Sequence, residues 1–301
     1  MKLNLTAVLI ITASIFCINT FAQQAIEFPV FSAEAHRGGR GLEPENTIGA
    51  MSNAMRIKGI TTLEMDTHIT KDGQVVVTHD DYLSPAFMLR PDGKDIPATE
   101  AKKYPVFAMN YDDLKQFDLG TKYYDLFPTQ RKVKSHIPLL NDLIDSVQQD
   151  IKANKRQQFF YNIETKCSQQ GDGITNPDPE VFVKLLMEVI EKKKVAPYVV
   201  IQSFDKRTVQ LIDKRYPQIK KSFLVANKKT YEENIADLGY KPFILSPVWQ
   251  MVDANLVKKA HADGVKIIPW TANKTEEIQK LKALNVDGII SDYPDILVLA
   301  K

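Results

Sequence analysis

A repeated alternation of two kinds of segment constrains the fold of this chain more than any other feature. Eight short apolar runs rich in β-branched residues have the length of buried strands, at 33–35, 61–67, 159–164, 199–202, 221–224, 243–245, 266–270 and 288–290. The segments between and after them have the amphipathic pattern of helices, at 47–58, 139–153, 179–194, 206–215, 230–238, 253–263, 275–284 and 294–301. Eight such units in 301 residues predict an α/β fold, a closed (β/α)8 TIM barrel.

A ninth apolar run, at 74–78, lies too close to the second strand to belong to the parallel barrel. Only residues 70–73 separate the two runs, whereas a parallel crossover requires about a dozen residues. The Asp72-Gly73 pair between them is a hairpin signal, so the run is predicted to be an antiparallel extension of the second strand. A two-residue turn at Asp72-Gly73 places Asp66 directly opposite His79, and a longer turn shifts this register by one residue.

The alternation disappears between residues 82 and 136. Five prolines interrupt this stretch: Pro85, Pro91, Pro97, Pro105 and Pro128. Only 111–119 has a helical pattern. Because this stretch begins just after His79, we predict that 82–136 is an insertion over one end of the barrel that shapes access of the substrate.

Residues 1–22 have the pattern of a secretory signal peptide. Lys2 supplies a positive charge, residues 7–18 form a nearly uninterrupted apolar run, and Thr20 and Ala22 are small residues at the positions of a cleavage site. The run is too short to span a bilayer comfortably, so we expect no stable membrane insertion; an uncleaved anchor or a buried first helix is the alternative. The mature protein, residues 23–301, is expected to be exported, either periplasmic or secreted.

The charge balance limits the partners of the chain. There are 39 Lys and Arg residues against 37 Asp and Glu, a formal net charge of +2. A net charge this close to zero gives no strong electrostatic case for binding nucleic acid or an acidic membrane surface. A nucleic acid is therefore not expected as a partner, and the site residues described below point to a small molecule instead.

Side chains that can bind ions or transfer protons follow the predicted strands. In a TIM barrel the carboxyl ends of all strands meet at one face, and active sites form there. The residues at these ends are His36, Arg37, Glu64, Asp66, Glu164, Lys166, Gln202, Trp270, Ser291 and Asp292, with His79 after the hairpin. We expect these side chains to form one site.

Three of these residues predict a metal site. Glu64 and Asp66 are two positions apart on one strand and therefore point to the same face, and Glu164 ends a second strand. Carboxylates that converge in this way repel one another unless a cation lies between them. Oxygen ligands without a Cys or His cluster favour Mg²⁺ or Ca²⁺. The alternative is a salt bridge from Glu64 to Arg37 or Lys166.

The remaining residues point to cleavage of a phosphate ester. His36 and His79 have the side chain best suited to proton transfer near neutral pH, and Arg37 and Lys166 supply positive charge for an anion. One histidine would deprotonate the attacking hydroxyl or water, and the other would protonate the leaving alkoxide. His68, His136 and His261 have no such neighbours in the sequence and are assigned no role.

The motifs that carry this chemistry resemble those of the glycerophosphodiester phosphodiesterase family. The matching strings, in order along 33–296, are His36-Arg37-Gly38-Gly39, Pro44-Glu45-Asn46-Thr47, Leu63-Glu64-Met65-Asp66, Thr78-His79-Asp80, Asn162-Ile163-Glu164-Thr165-Lys166, Gln202-Ser203-Phe204, Trp270-Thr271 and 287–294.

The resemblance implies a role for each predicted site residue. His36 and His79 are the acid–base pair, and Glu64, Asp66 and Glu164 are the metal ligands. The implied substrate contacts are Arg37, Lys166, Gln202, Phe204 and Trp270. Asn46 is expected to cap the first helix.

The function expected from these features is the metal-dependent hydrolysis of glycerophosphodiesters to sn-glycerol 3-phosphate and an alcohol. Two alternatives fit the same residues. One is a phospholipase-like lyase that forms a cyclic phosphate, and the other is an exported protein that binds a polyol phosphate without catalysis. The barrel fold by itself does not separate the three, because it supports many functions.

Overall fold

The computed structural model describes residues 26–300, so the predicted signal peptide lies outside the described residues. Eight parallel strands form the barrel, and a short antiparallel strand extends one of them. In chain order the strands are β1 Ser32–Ala35, β2 Thr62–Ile69, β3 Val75–Val77, β4 Phe160–Thr165, β5 Val199–Ser203, β6 Lys220–Val225, β7 Ile244–Pro247, β8 Lys266–Ile267 and β9 Gly288–Ser291.

The parallel strands follow one another around the barrel in the order β8-β7-β6-β5-β4-β2-β1-β9, and β3 pairs with β2 off this path. Backbone hydrogen bonds join the two ends of this order: Asp287 N donates to Ile267 O at 2.8 Å, and Ile290 N donates to Pro269 O at 2.9 Å. All eight predicted parallel strands are present. The prediction of a TIM barrel is confirmed.

The α-helices are α1 Ile48–Ala54, α2 Tyr111–Leu114, α3 Leu140–Ala153, α4 Pro179–Lys192, α5 Lys206–Arg215, α6 Tyr231–Leu238, α7 Ala254–Ala262, α8 Thr275–Ala283 and α9 Pro294–Leu299. All of them except α2, which lies within residues 82–136, cover the outside of the barrel. In α3 the buried residues are Leu140, Leu143, Ile144 and Val147, which is the spacing of one apolar helix face. These faces and the outward residues of the strands form one continuous apolar core.

The first helix begins differently from the prediction. Thr47, not Asn46, is the N-cap of α1, because the Thr47 side chain accepts a hydrogen bond from Ala50 N at 3.0 Å. Asn46 is directed instead towards Asp66, so the prediction that Asn46 caps the helix is wrong.

The hairpin is present, but its predicted register is wrong by one residue. Thr67 pairs with Val77 and Ile69 with Val75, so Thr78 lies opposite Asp66. Thr78 N donates to Asp66 O at 3.0 Å. The turn has three residues, 71–73, closed by a 2.9 Å hydrogen bond from Thr70 N to Gln74 O, and this extra residue shifts the pairing.

Residues 82–136 form a separate layer with its own small apolar core. The buried residues of this core are Val76, Leu83, Met88, Ile96, Val106, Leu114, Phe117, Leu119 and Ile137. The helix predicted at 111–119 is shorter, Tyr111–Leu114. Gln130 and Arg131 fasten the layer to the loop after β1, through Gln130 Nε2 to Arg40 O at 2.7 Å and Arg131 N to Leu42 O at 2.9 Å.

Across 26–300, no helix combines the length and the apolar character needed to cross a bilayer.

Candidate active site

The site begins with the turn that follows β1. Arg37 has a left-handed backbone (φ 51°), and Gly38 and Gly39 also have positive φ angles. At Gly38 a Cβ atom would lie 2.7 Å from the Ala50 Cβ, so only glycine allows the turn to pack against α1. This tight turn directs the backbone N–H of Arg37 into the barrel, where it donates to Glu64 Oε2 at 2.8 Å.

The parallel register of β2 and β4 brings the three predicted metal ligands together. Asp66 pairs with Glu164, and both side chains point into the barrel, as does that of Glu64. One carboxylate oxygen from each of the three residues lies within 4.8 Å of the others, and all three residues are buried. The predicted carboxylate cluster is therefore assembled at the carboxyl end of the barrel.

The cluster has the properties of a cation site. Among the described residues 26–300, Asp66 Oδ1 is buried without a hydrogen-bond partner, and the nearby Lys166 Nζ is 3.9 Å from it. A buried carboxylate oxygen without a partner is unfavourable unless something binds it. Because the other donors are also hard carboxylate oxygens, the residues fit Mg²⁺ or Ca²⁺.

The pKa values of the three carboxylates are shifted in different directions. Burial, followed by the charge of Asp66, raises the pKa of Glu64 well above its usual value. Burial also raises the pKa of Glu164, although Lys166 opposes this. For Asp66, burial acts in the same direction, but Arg37, His79 and Lys166 outweigh it and lower its pKa. A bound divalent cation would favour the ionised form of all three residues.

Each carboxylate of the cluster is held by a different partner. Gln202 Nε2 donates to Glu64 Oε1 at 2.7 Å. Asn46 Nδ2 donates to Asp66 Oδ2 at 2.9 Å, and Lys166 Nζ donates to Glu164 Oε1 at 3.0 Å. These contacts fix the carboxylates in place.

The alternative of a salt bridge from Glu64 to Arg37 or Lys166 is not formed. Within residues 26–300, the only basic side chain within 4.0 Å of the Glu64 carboxylate is that of His36, whose Nε2 lies 4.0 Å from Glu64 Oε2. The Arg37 guanidinium pairs with Glu45 at 2.9 Å and with Asp66 at 3.2 Å. Arg37 and Lys166 nevertheless both line the cavity above the cluster.

His36 lies deep in the site and is oriented by Asp292. Its Nδ1 atom is 2.5 Å from Asp292 Oδ1, and Asp292 also binds Arg40 at 2.7 Å and Asn273 at 2.8 Å. Burial lowers the pKa of His36 to about 4, although the charge of Asp292 opposes this shift. The imidazole is therefore neutral near pH 7. Its Nδ1–H donates to Asp292, which leaves Nε2 as a proton acceptor facing Glu64.

His79 occupies a more open position after the hairpin. Its Nδ1 is 2.7 Å from Asp80 Oδ1. His68, to which the sequence assigned no role, is fully buried and its Nε2 lies 3.1 Å from the backbone oxygen of His79. The backbone of His79, whose side chain contacts solvent, is thus held in place by the buried His68.

A cavity of about 110 Å³ opens above the carboxylates. Nine of the ten predicted site residues line it: His36, Arg37, Glu64, His79, Glu164, Lys166, Gln202, Phe204 and Trp270. The tenth, Asp66, lies within the carboxylate cluster. Phe204 and Trp270 form an edge-to-face pair with ring centroids 5.4 Å apart, so one wall of the cavity is aromatic.

The sequence placed Asp292 among the strand-end residues expected at the site but gave it no partner there, and it did not single out Arg40. Asp292 directly follows β9, and the register that pairs Ala35 with Ser291 brings His36 and Asp292 side by side. The position of Asp292 after a strand was a usable signal, but its pairing with His36 depends on how the barrel closes.

Comparison with known proteins agrees with this geometry. Residues 36–296 match the model of the Glycerophosphoryl diester phosphodiesterase family. A Bacillus altitudinis glycerophosphodiester phosphodiesterase is 31% identical over 265 residues, which are 87% of this chain and 94% of that protein. One from Caldanaerobacter subterraneus is 27% identical over 88% of this chain and 95% of its own length.

Solved structures show the same fold. A Silicibacter pomeroyi protein assigned as a glycerophosphoryl diester phosphodiesterase aligns with a TM-score of 0.77 at 26% identity, over 90% of this chain and 94% of that one. An Oleispira antarctica phosphodiesterase, solved with the product sn-glycerol-3-phosphate, aligns with a TM-score of 0.68 at 24% identity, over 89% and 95% of the two chains. Together with the family match over most of its length, these findings show that the chain is an enzyme of the glycerophosphodiester phosphodiesterase family.

Proposed function

We propose that this protein hydrolyses glycerophosphodiesters to sn-glycerol 3-phosphate and an alcohol, with one divalent cation and with His36 and His79 as the acid–base pair. One observation carries the proposal. Three buried carboxylates converge, one of them with an oxygen that has no hydrogen-bond partner in the described part of the chain, and His36 lies 4.0 Å from another. His79 lines the same cavity and is close enough for its charge to lower the pKa of Asp66.

Glu64, Asp66 and Glu164 would hold the cation, Mg²⁺ or Ca²⁺. When bound, the cation would stabilise negative charge on the non-bridging oxygens of the phosphate. Arg37 and Lys166 bind the same phosphate from the sides of the cavity. The Arg37 and Lys166 side chains are already paired with the carboxylates of Glu45 and Glu164, so their positions are fixed before the substrate binds.

The two histidines divide the proton transfers. His36 Nε2 accepts a proton from a water molecule as the water oxygen forms a bond to phosphorus. The bond from phosphorus to the alcohol oxygen breaks, and His79 donates a proton to that oxygen. The protonation of His36 at Nδ1, which Asp292 enforces, supports its role as the acceptor.

The leaving alcohol would contact the more exposed part of the cavity. Phe204 is 45% exposed and packs edge-to-face on Trp270. Aromatic faces bind methylene and methylammonium groups, such as those of choline. The 82–136 layer, fastened to the loop after β1, would limit the size of the alcohol.

Residues 1–22 support a further proposal about location. Their charge, apolar run and small-residue cleavage site are those of a secretory signal, so we propose an exported enzyme. Comparing the N-terminus and the location of the protein expressed in cells with those of a variant lacking 2–22 tests this.

The function is tested by assaying glycerophosphocholine and glycerophosphoglycerol before and after treatment with a chelator, and after Mg²⁺ or Ca²⁺ is restored. We expect activity to disappear with the chelator and to return with one of the ions. Asp66→Asn should remove most activity, whereas the matched control Glu276→Gln, an exposed carboxylate on α8, should not. Activity that survives complete removal of metal would contradict the proposal.

Product analysis in ¹⁸O-labelled water separates the alternatives. Hydrolysis incorporates the label into sn-glycerol 3-phosphate, whereas a lyase releases an unlabelled cyclic phosphate. A stable complex of unchanged substrate with the metal-loaded protein would indicate binding without catalysis.

A further inference from the structure

A buried acid, Glu34, lies in the barrel beneath the carboxylate cluster. Glu34 is fully buried, and in the part of the chain that the structure describes no Lys, Arg or His forms an ion pair with it. Its Oε1 atom contacts Ser32 Oγ at 2.8 Å, and its Oε2 atom accepts from Asn162 Nδ2 at 2.8 Å. A buried carboxyl group without a cation is unfavourable, so its presence needs an explanation.

Two amide side chains connect Glu34 to the cluster. Asn162 Nδ2 donates to Gln202 Oε1 at 3.1 Å as well as to Glu34. Gln202 Nε2 then donates to Glu64 Oε1 at 2.7 Å. The path Glu34–Asn162–Gln202–Glu64 is a continuous hydrogen-bonded relay, and all four residues are buried.

The direction of this relay follows from its two ends. An ionised carboxylate only accepts hydrogen bonds, so Gln202 must present its NH₂ group to Glu64. The Gln202 carbonyl then faces Asn162, which must present its own NH₂ group in return. Glu34 Oε2 accepts from that same NH₂ group, which holds the Asn162 amide in the required orientation.

Without an acceptor at position 34, the relay has a second arrangement. Asn162 Oδ1, which has no hydrogen-bond partner within residues 26–300, would rotate to accept from Gln202 Nε2. The Gln202 carbonyl would then face Glu64 Oε1, and two acceptor oxygens would repel one another. Glu64 would be displaced from its position in the cluster.

We infer that Glu34 is a positioning residue of the metal site, which acts through the Asn162 and Gln202 amides to orient the Glu64 carboxylate. Burial raises the pKa of Glu34 to about 7. The role does not depend on its charge, because a proton on Oε1, beside Ser32, leaves Oε2 free to accept. The inference rests on the proposed cation site and adds a residue that contacts neither metal nor substrate.

The test is the affinity of the full metal-free protein for Mg²⁺ and Ca²⁺, measured by calorimetry. Removing residues that orient metal ligands lowers metal affinity by about 10–100-fold, and we expect a weakening in this range for Glu34→Leu, which removes the acceptor, and for Gln202→Leu. Glu34→Gln keeps an acceptor oxygen for Asn162 and should bind the ions as the wild type does. In the double variant of Glu34→Leu and Gln202→Leu, the change at Glu34 should weaken binding no further, because its effect passes through Gln202. The matched control is Tyr161→Phe, the neighbour of Asn162 on β4, whose hydroxyl binds Gln148 outside the barrel.

The outcomes are distinct. Unchanged affinity in Glu34→Leu overturns the inference while the proposed function stands. Full additivity in the double variant also overturns it, because Glu34 would then act by another route. Should Glu34→Leu fail to fold, Asn162→Leu breaks the relay at its centre and must show the same weakening. A wild-type protein that binds neither ion overturns the proposed function and this inference together.

Discussion

The two histidines of the site lie in opposite environments. The His36 side chain is 11% exposed and its partner Asp292 only 2% exposed, whereas His79 is 31% exposed and its partner Asp80 44% exposed. His36 belongs to the barrel wall, between β1 and β9, and Asp292 has two further partners in Arg40 and Asn273. His79 follows the hairpin at the edge of the cavity.

The two environments predict different energies for the contacts that hold the two histidines. Ion pairs in contact with water contribute little, about 0–1 kcal/mol, whereas breaking a buried pair leaves a charge without compensation. The buried half of the site therefore fixes the reacting groups. The exposed half remains free to adapt to the alcohol.

The largest effects should come from the histidines themselves. His36→Ala and His79→Ala are each expected to lower kcat by about 10²–10⁴-fold, the usual contribution of general acid–base catalysis. A substrate with a p-nitrophenolate leaving group needs no proton from the enzyme. It should restore the rate of His79→Ala and not that of His36→Ala. Rescue of His36→Ala alone would reverse the roles proposed for the two residues.

The carboxylates behind the histidines should differ in the same direction. Asp292→Asn removes the charge that fixes the His36 tautomer, and we expect kcat to fall by about 10–100-fold. Asp80→Asn removes a partly exposed partner and should change kcat by less than about fivefold. Steady-state kinetics of the two variants measure the contrast, and equal losses would show that burial does not distinguish the two sides.

On the hairpin side, the buried imidazole is His68, and it should influence stability rather than rate. Burial lowers its pKa to about 4 from 6.5 in the unfolded chain. Between these values the unfolded state binds more protons, so the protein loses stability as pH falls from 7 to 5. The contribution of His68 to this loss is on the order of 2 kcal/mol.

His68→Gln retains a donor for the backbone oxygen of His79 and removes the titration. Urea unfolding of metal-free wild type and variant at pH 7.5 and pH 5 measures the difference. The variant should lose less stability on acidification. A parallel fall in both proteins would show that His68 does not titrate as expected.

The smallest effect should come from the exposed aromatic wall. Phe204→Ala removes an aromatic face proposed to contact the choline group, which at an exposed site contributes about 0.5–1 kcal/mol, so we expect KM for glycerophosphocholine to rise by about 2–5-fold. The kcat value should change little, because Phe204 has no part in the proton transfers of the proposed mechanism. A large fall in kcat would place Phe204 among the groups that position the phosphate.

The barrel and most of the site were accessible from the sequence. Strand–helix alternation is written locally in the apolar pattern, and the carboxyl ends of parallel strands must share one face. Nine predicted site residues accordingly line one cavity, and the tenth completes its carboxylate cluster. Asn46 was misassigned because its neighbour Thr47 has an equally suitable capping side chain, and only the structure shows which of them is used.

The hairpin register shows where local reasoning ends. Asp72-Gly73 correctly indicated a turn, but the number of residues in that turn depends on the contacts of Thr70 with Gln74 and Asp72. One additional residue moved the partner of Asp66 from His79 to Thr78.

The number of strands, the face on which the site forms and the types of residue at that face follow from the apolar pattern and the motifs of the sequence. Which of those residues contact one another depends on the tertiary structure. His36 and Asp292 are 256 positions apart, and they meet because the register of β1 and β9 aligns the ends of the two strands. Burial, too, is a property of the assembled barrel. Burial keeps His36 neutral and leaves an oxygen of Asp66 without a hydrogen-bond partner among residues 26–300.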